Sequence, residues 1–239
     1  MTDPHPSQLQ ALFSSAKCVL FDFDGPICSL FSSHSAPVVA QMLVDELRAC
    51  GCDPAPVVDR APPNDPLALL RSVPSAYSDP GLVVSVERRL TVEELRAAGS
   101  AEPTRHAKQL IRLLHGGRFD LAVTTNNSAG AVSSYLRAHG LADCFGEHVY
   151  GRVSDPALLK PDPDCLLRAL DSTGVSAASA LMIGDSLADQ QAADVLGVPF
   201  IGYAKSQAKR EVLSAGEGTV VQDLKSLVEA LTSGSAEAS

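Results

Sequence analysis

The chain has 239 residues, 45% of them apolar and 20% charged, with 17 glycines and 16 prolines. That composition excludes whole-chain disorder and collagen-like repetition, and the length suits one large domain or a domain carrying an insertion. A net charge of −9 argues against a protein that grips nucleic acid by neutralising phosphates. The six cysteines, Cys18, Cys28, Cys50, Cys52, Cys144 and Cys165, have neither CxxC nor zinc-type spacing, so the expectation is reduced thiols in a cytoplasmic protein.

Residues 1–15 lack a basic segment followed by an apolar block, so they are not read as a signal peptide. They are expected to be loose. The first buried run is 18–21, ending in Asp22-Phe23-Asp24-Gly25. Residues 25–44 carry no formal charge, but Pro26, His34, Pro37, Gln41 and several serines interrupt them, so they do not form a membrane span. A helix is predicted over 38–50, with Val39, Leu43 and Leu47 on one face and Gly51 as its stop. A proline-rich loop over 53–66 and a short helix over 67–72 follow. A second long helix over 80–98 is stopped by Gly99. Its charged run, Glu87, Arg88, Arg89, Glu93 and Glu94, predicts a solvent-facing helix with ion pairs of small worth. Residues 31–104 thus form an all-helical insertion with six arginines and ten acids. Arg60, Arg71 and, just beyond it, Arg105 lie in or near predicted loops and are weak candidates for meeting an anionic ligand.

From about residue 104 the pattern alternates regularly. Helices are predicted over 104–115, 129–139, 163–173 and 187–196, each ending at a glycine. Apolar runs at 121–124, 180–183, 200–202 and 219–221 read as strands. Residues 232–239 are small and polar and are expected to be loose. The fold class is therefore α/β: a mostly parallel sheet flanked by helices, with a core of residues 1–30 and 105–239 and an inserted cap of residues 31–104.

In such a sheet the ligand site lies beyond the carboxyl ends of the strands. The first strand delivers Asp22 and Asp24 there, the second Thr125, Asn126, Asn127 and Ser128, and the third Asp185, Ser186 and Asp189. Taken singly, an Asp-x-Asp is ordinarily a turn, a Gly-Asp-Ser a helix start, and Lys160 before Pro161 a surface lysine. Their ordered appearance on successive strand-end loops is what points to a site. Four gathered carboxylates would repel one another, and a hard oxygen-ligated cation makes the cluster tolerable; Mg²⁺ fits best.

These motifs together resemble the haloacid dehalogenase-like hydrolase superfamily, in the phosphoglycolate phosphatase-like subgroup whose helical cap follows the first strand. The resemblance spans about residues 17–230. Asp22-Phe23-Asp24-Gly25 matches the family's first motif, Thr125-Asn126 the second, Lys160 in its Lys-Pro-x-Pro setting the third, and Gly184-Asp185 with Asp189 the fourth. It implies a Rossmann-like core and Mg²⁺-dependent phosphoryl transfer through an aspartyl-phosphate. Asp22 would be the nucleophile, Asp24 the general acid and then base, and Lys160 the offset to charge on nucleophile and phosphate. Asp22, the Asp24 carbonyl and Asp185 would hold the metal, with Asp189 in an outer position. Thr125 and the Asn126 amide would bind phosphoryl oxygens, while His34 would contact substrate, gate the site, or be an exposed loop histidine. Pro26, where threonine or a small aliphatic is commoner, removes an N–H near the cap entry.

The acid at position 24 favours phosphate esters over carbon–halide bonds, and the lack of lysine from 18 to 107 closes a Schiff-base route to phosphonates. The implied partner is a small phosphorylated metabolite, phosphoglycolate-like or a sugar phosphate, with no nucleic acid and no membrane, and the protein is expected to be a monomer or homodimer. A phosphohexose mutase of the same build, and a non-catalytic binding protein that keeps the fold, are the alternatives.

Overall fold

A computed structural model describes residues 4–117, 119–215 and 218–236. Helix α1 (Pro6–Ser15) precedes strand β1 (Cys18–Phe21), and the short strand β2 (Cys28–Ser29) leads into four helices: α2 (Ala36–Ala49), α3 (Ala55–Val58), α4 (Pro66–Ala76) and α5 (Pro80–Ala98). Strand β3 (Glu102–Pro103) brings the chain back. There follow α6 (Ala107–His115), β4 (Asp120–Thr124), α7 (Ala129–Ala138), α8 (Ala142–Phe145), β5 (Val149–Tyr150) and α9 (Asp164–Thr173). The chain closes with β6 (Ala180–Gly184), α10 (Leu187–Leu196), β7 (Phe200–Tyr203), α11 (Gln207–Leu213), β8 (Thr219–Val221) and α12 (Lys225–Ala236).

The main sheet has six strands in the order β5-β4-β1-β6-β7-β8, every pair parallel. Parallel strands covered on both faces need continuous apolar runs, and β1, β6 and β7 are buried at every position. Val19, Phe21, Leu181 and Ile183 pack with apolar side chains of α1, α6, α7 and α12. Leu20 and Met182 face the other way, toward Cys165, Leu166, Ala192 and Ala193 of α9 and α10. Each large side chain so buried contributes about 1.5–3 kcal/mol.

The chain direction reverses about β1, which pairs with β4 on one side and β6 on the other. Phe21 lies level with Val123 and with Ile183. The next residue of each strand therefore carries Asp22, Thr124 and Gly184 to one edge, so register alone gathers the three loops at this switch point.

The four inserted helices enclose an apolar cluster of their own, including Val39, Leu43, Leu69, Leu70, Val86 and Leu90. Asp65 and Asp79 accept backbone N–H groups at the starts of α4 and α5, each followed by proline. The chain enters and leaves this unit through the antiparallel pair β2 and β3, with Cys28 opposite Pro103 and Ser29 opposite Glu102. The short α3 lies inside the stretch expected to be loop, and α4 is longer than the helix expected there.

The termini differ from expectation. Residues 6–15 form α1, which buries Leu9 and Phe13 against the core; an apolar pair four apart is enough to anchor one short helix face. Helix α12 continues through Ala236, with the Thr232 hydroxyl donating to the Val228 carbonyl at 3.0 Å. The rest of the expected loose tail, 237–239, lies outside the described residues.

Candidate active site

Asp22 extends β1 by one rung, its N–H donating to the Ile183 carbonyl at 2.9 Å. The chain then turns back on itself: Ile27 and Cys28 N–H groups donate to the Phe23 carbonyl, and Gly25 N–H donates to the Cys28 carbonyl at 2.7 Å. Gly25 sits at φ 124°, and a Cβ there would come within 2.4 Å of the Asp185 carboxyl. Only glycine permits this approach of the first loop to the third. The turn separates the two acids of the opening motif. Asp22 faces the sheet edge, while Asp24 Oδ1 accepts the Leu30 N–H at 2.9 Å.

Lys160, buried on the loop before α9, reaches into this edge. Its ammonium donates to Asp22 Oδ1 at 2.9 Å, to the Thr124 carbonyl at 2.8 Å and to Asp189 Oδ1 at 2.5 Å. Its backbone is gripped by Asn126, whose Oδ1 accepts the Lys160 N–H at 2.7 Å and whose Nδ2 donates to the Lys160 carbonyl at 3.1 Å. Arg71 of α4 donates to that same carbonyl at 2.7 Å. Arg60 turns to the Pro56 carbonyl within the insertion.

Asp189 starts helix α10 in a capping box: Ser186 Oγ accepts the Asp189 N–H, and Asp189 Oδ2 accepts the Ser186 N–H, the Ser186 hydroxyl and the Asp185 N–H. Both Asp189 oxygens are thus engaged by the protein, which favours Asp22 and Asp185 as the acids with oxygens left for a ligand. Asp185 pairs with the half-exposed Lys209 of α11.

Ligand oxygens of Asp22, Asp185 and Asp189 lie within 4.8 Å of one another. Burial, reinforced by the charge of Asp189 and only partly offset by Lys160, pushes the Asp22 carboxyl up to about 7. Burial likewise lifts Asp185 to about 6 against the opposing pull of Lys209, and it raises Asp24. Lys160 loses some basicity to burial but gains more from Asp189 and Asp22, so it stays protonated. An all-oxygen donor set whose members repel one another suits a hard divalent cation, and this cluster can hold one.

On the loop after β4, Thr125 is buried, donates to Asn127 Oδ1 at 3.1 Å and accepts the Asn127 N–H at 3.2 Å. Thr125 N–H donates to the Tyr150 carbonyl and Ser128 N–H to Glu94. Among the described hydrogen bonds, the Asn126 N–H alone of residues 125–128 has no protein acceptor. His34 Nε2 meets Glu93 Oε2 of α5 at 2.7 Å.

Sequence reasoning missed a second buried cluster. Arg152, after β5, has no exposed side-chain surface and joins Glu87 and Glu94 of α5 at 3.0 and 2.8 Å. Glu93 and Glu94, expected to face solvent, are fully buried. The signal was present: Val86, Leu90, Glu93, Glu94 and Ala97 fall on one helical stripe, but ranking by charge hid the two acids. Lys209 was missed because nothing in sequence spacing ties α11 to the Asp185 loop.

Among the described residues no helix is long and apolar enough to cross a membrane. The family model for haloacid dehalogenase-like hydrolases matches residues 16–197. A phosphoglycolate phosphatase of Rhodospirillum rubrum is 39% identical over 107 residues, covering 45% of this chain and 44% of that protein; the chain matches about half the length of this and several other curated relatives. One from Neisseria meningitidis serogroup A is 26% identical over 232 residues, covering 88% of this chain and 90% of the relative. Among solved structures, a predicted phosphatase from Clostridium acetobutylicum superposes with a TM-score of 0.65 at 20% identity, over 91% of this chain and 99% of the other; this likeness concerns the fold. With the strand-end cluster in view and the family model spanning most of the core and the whole insertion, the chain belongs to the haloacid dehalogenase-like hydrolases.

Proposed function

We propose that this chain is a cytoplasmic, Mg²⁺-dependent phosphatase that hydrolyses a small phosphate monoester through an aspartyl-phosphate on Asp22. The observation that carries the reading is the Asp22 carboxylate itself: one oxygen is anchored on buried Lys160 while the other has no protein donor among the described hydrogen bonds. A carboxylate fixed at one oxygen presents the other as an oriented nucleophile.

In the first step Asp22 Oδ2 forms a bond to phosphorus as the bond from phosphorus to the ester oxygen breaks, and Asp24 supplies the proton that the departing alkoxide takes up. The burial that raises Asp24 keeps a proton available there. In the second step Asp24 takes a proton from water, the water oxygen bonds to phosphorus, and the Asp22–phosphorus bond breaks to return the carboxylate and release inorganic phosphate. Lys160 stays charged throughout and offsets the negative charge that gathers as phosphate meets carboxylate. The Asn126 N–H donates to one phosphoryl oxygen, and the Thr125 hydroxyl donates to another by turning its single proton from Asn127 Oδ1. Asp22, Asp185 and the Asp24 carbonyl would hold Mg²⁺, which would supply electrostatic attraction between nucleophile and phosphate, while Asp189 accepts the Asp185 N–H and steadies that loop.

The curated relatives bear the name phosphoglycolate phosphatase, which supports a phosphoglycolate-like substrate ahead of sugar phosphates. The domain reading follows the same logic, with residues 31–104 as a cap over a core of 1–30 and 105–239. The test is release of inorganic phosphate from an aryl phosphate, 2-phosphoglycolate and a panel of sugar phosphates, with and without chelator. Release that needs Mg²⁺ supports the reading. Isomerisation of a hexose 1-phosphate primed by a bisphosphate, with no net release, would replace it by a mutase.

A further inference from the structure

The loop that carries Thr125 and Asn126 is held from behind by a pair of buried charges. Arg152 donates from Nη1 to the Asn126 carbonyl at 2.9 Å and from its backbone N–H to the Asn127 carbonyl at 2.9 Å. Glu94 takes the Ser128 N–H at 2.8 Å on Oε2 and the Asn127 Nδ2 at 3.2 Å on Oε1. The two side chains lock onto each other, with Arg152 Nη1 and Nη2 meeting Glu94 Oε1 and Oε2 at 2.8 and 3.1 Å. Thr91 and Glu87 of α5 accept the remaining guanidinium donors.

Burying such a pair is an expensive way to join a helix to a sheet, since well-packed apolar side chains of similar volume serve stability as well or better. What apolar side chains cannot do is direct hydrogen bonds to three polar groups of one loop, the Asn126 carbonyl, the Asn127 amide and the Ser128 N–H. Glu94 also occupies the Ser128 N–H, an amide at the start of α7 that would otherwise compete for an anion. We infer that Glu94 and Arg152 are positioning residues for phosphoryl recognition: they fix the 125–128 loop so that the Asn126 N–H, the one without a protein acceptor among the described hydrogen bonds, donates to the phosphate. The effect extends further, because the Asn126 side chain grips the backbone of Lys160, whose ammonium holds Asp22. The inserted helix α5 is thereby tied to the nucleophile through an unbroken series of hydrogen bonds.

This inference rests on the phosphatase reading above, and the experiment separates the two. Inorganic phosphate serves as the probe, read both as a competitive inhibitor of aryl phosphate hydrolysis and by the thermal shift it produces in the presence of Mg²⁺. Glu94→Gln should raise the phosphate inhibition constant about tenfold, lower kcat about ten- to a hundredfold and shrink the phosphate-induced shift, since small misplacements of binding groups have effects of that size. Glu87→Gln perturbs the same guanidinium without touching the loop; it should lower Tm yet leave kcat and the inhibition constant within about twofold of the unmodified chain. Should Glu94→Gln not yield folded protein, Arg152→Lys keeps the charge but loses the fork, and the same changes are expected of it. If the loop variant matches Glu87→Gln in both phosphate affinity and kcat, the pair serves stability alone and the inference is overturned. If the unmodified chain neither releases nor binds phosphate, the phosphatase reading itself has failed.

Discussion

Two buried cations, each held by two acids, meet the chain just after β4, and they are built to opposite ends. Around Arg152 the guanidinium is spent on Glu87, Thr91, Glu94 and the Asn126 carbonyl, and Glu94 is spent in turn on the loop while Glu87 takes the Thr91 hydroxyl. Around Lys160 the ammonium is also fully engaged, yet Asp22 and Asp185 keep oxygens for a ligand and are pushed toward neutrality. The planar fork of arginine suits closure, whereas the compact lysine charge leaves its partners open on one side. Buried charge thus makes a fastening in one place and an acidic cluster open to a ligand in the other.

The largest effect expected from breaking this contrast is at Asp22. Asp22→Asn should reduce phosphate release at least about a thousandfold, since Asp189, the other carboxylate on Lys160, has both oxygens engaged by the protein and cannot stand in for it. Its effect on stability should have the reverse sign. Folding raises the Asp22 carboxyl to about 7, so the stability it contributes is fully present below the unfolded value of about 3.9 and is lost as pH rises through about 7. In chelator, Asp22→Asn should therefore be more stable than the parent by about 1–3 kcal/mol at pH 8, and the gain should vanish near pH 4; urea unfolding at the two pH values checks it.

At the Arg152 cluster the order reverses. Arg152→Met leaves Glu94 buried without its partner and should lower the unfolding free energy by about 3–5 kcal/mol, read by urea or thermal denaturation. Lys209 gives a smaller, more pointed test. It is the half-exposed counter-ion of Asp185, so a divalent cation must displace it. Lys209→Met should tighten Mg²⁺ binding about three- to tenfold, measured by titration calorimetry, while lowering stability in chelator slightly. The smallest change is expected for His34→Ala. Glu93 keeps Arg89 and Arg96 at 2.9 and 3.0 Å, so kcat/KM should stay within about twofold; a larger fall in kcat/KM would restore His34 to the substrate.

Much of the acidic strand-end cluster was legible in sequence because its members follow the strands directly. Asp22, Thr125 and Asp185 each stand one or two residues beyond a buried run, and a parallel sheet brings such positions to one edge whatever the loops do. The long helix α5 was equally plain in extent, from Pro80 to its glycine stop. What it faces was not. Glu94 and Arg152 meet only because α5 lies across the core, and a charged stripe on a helix looks the same whether solvent or a buried arginine receives it. The distinct lodging of Asp24 was also hidden: extended spacing would turn it to the side of Asp22, but the glycine turn that follows sends it toward Leu30. Short elements such as α3 and β5 escaped because a single turn or rung carries too little periodicity to register.

The central position of β1 also sets an order of assembly. Its partners β4 and β6 are synthesised about a hundred or more residues later, whereas the inserted helices find their apolar contacts close by in the chain, and nearby contacts form fastest. During translation the helical unit therefore compacts while Val19, Leu20 and Phe21 still wait for neighbours. A nascent chain halted before β6 would display that uncovered apolar strand to chaperones and to other unfinished copies of itself.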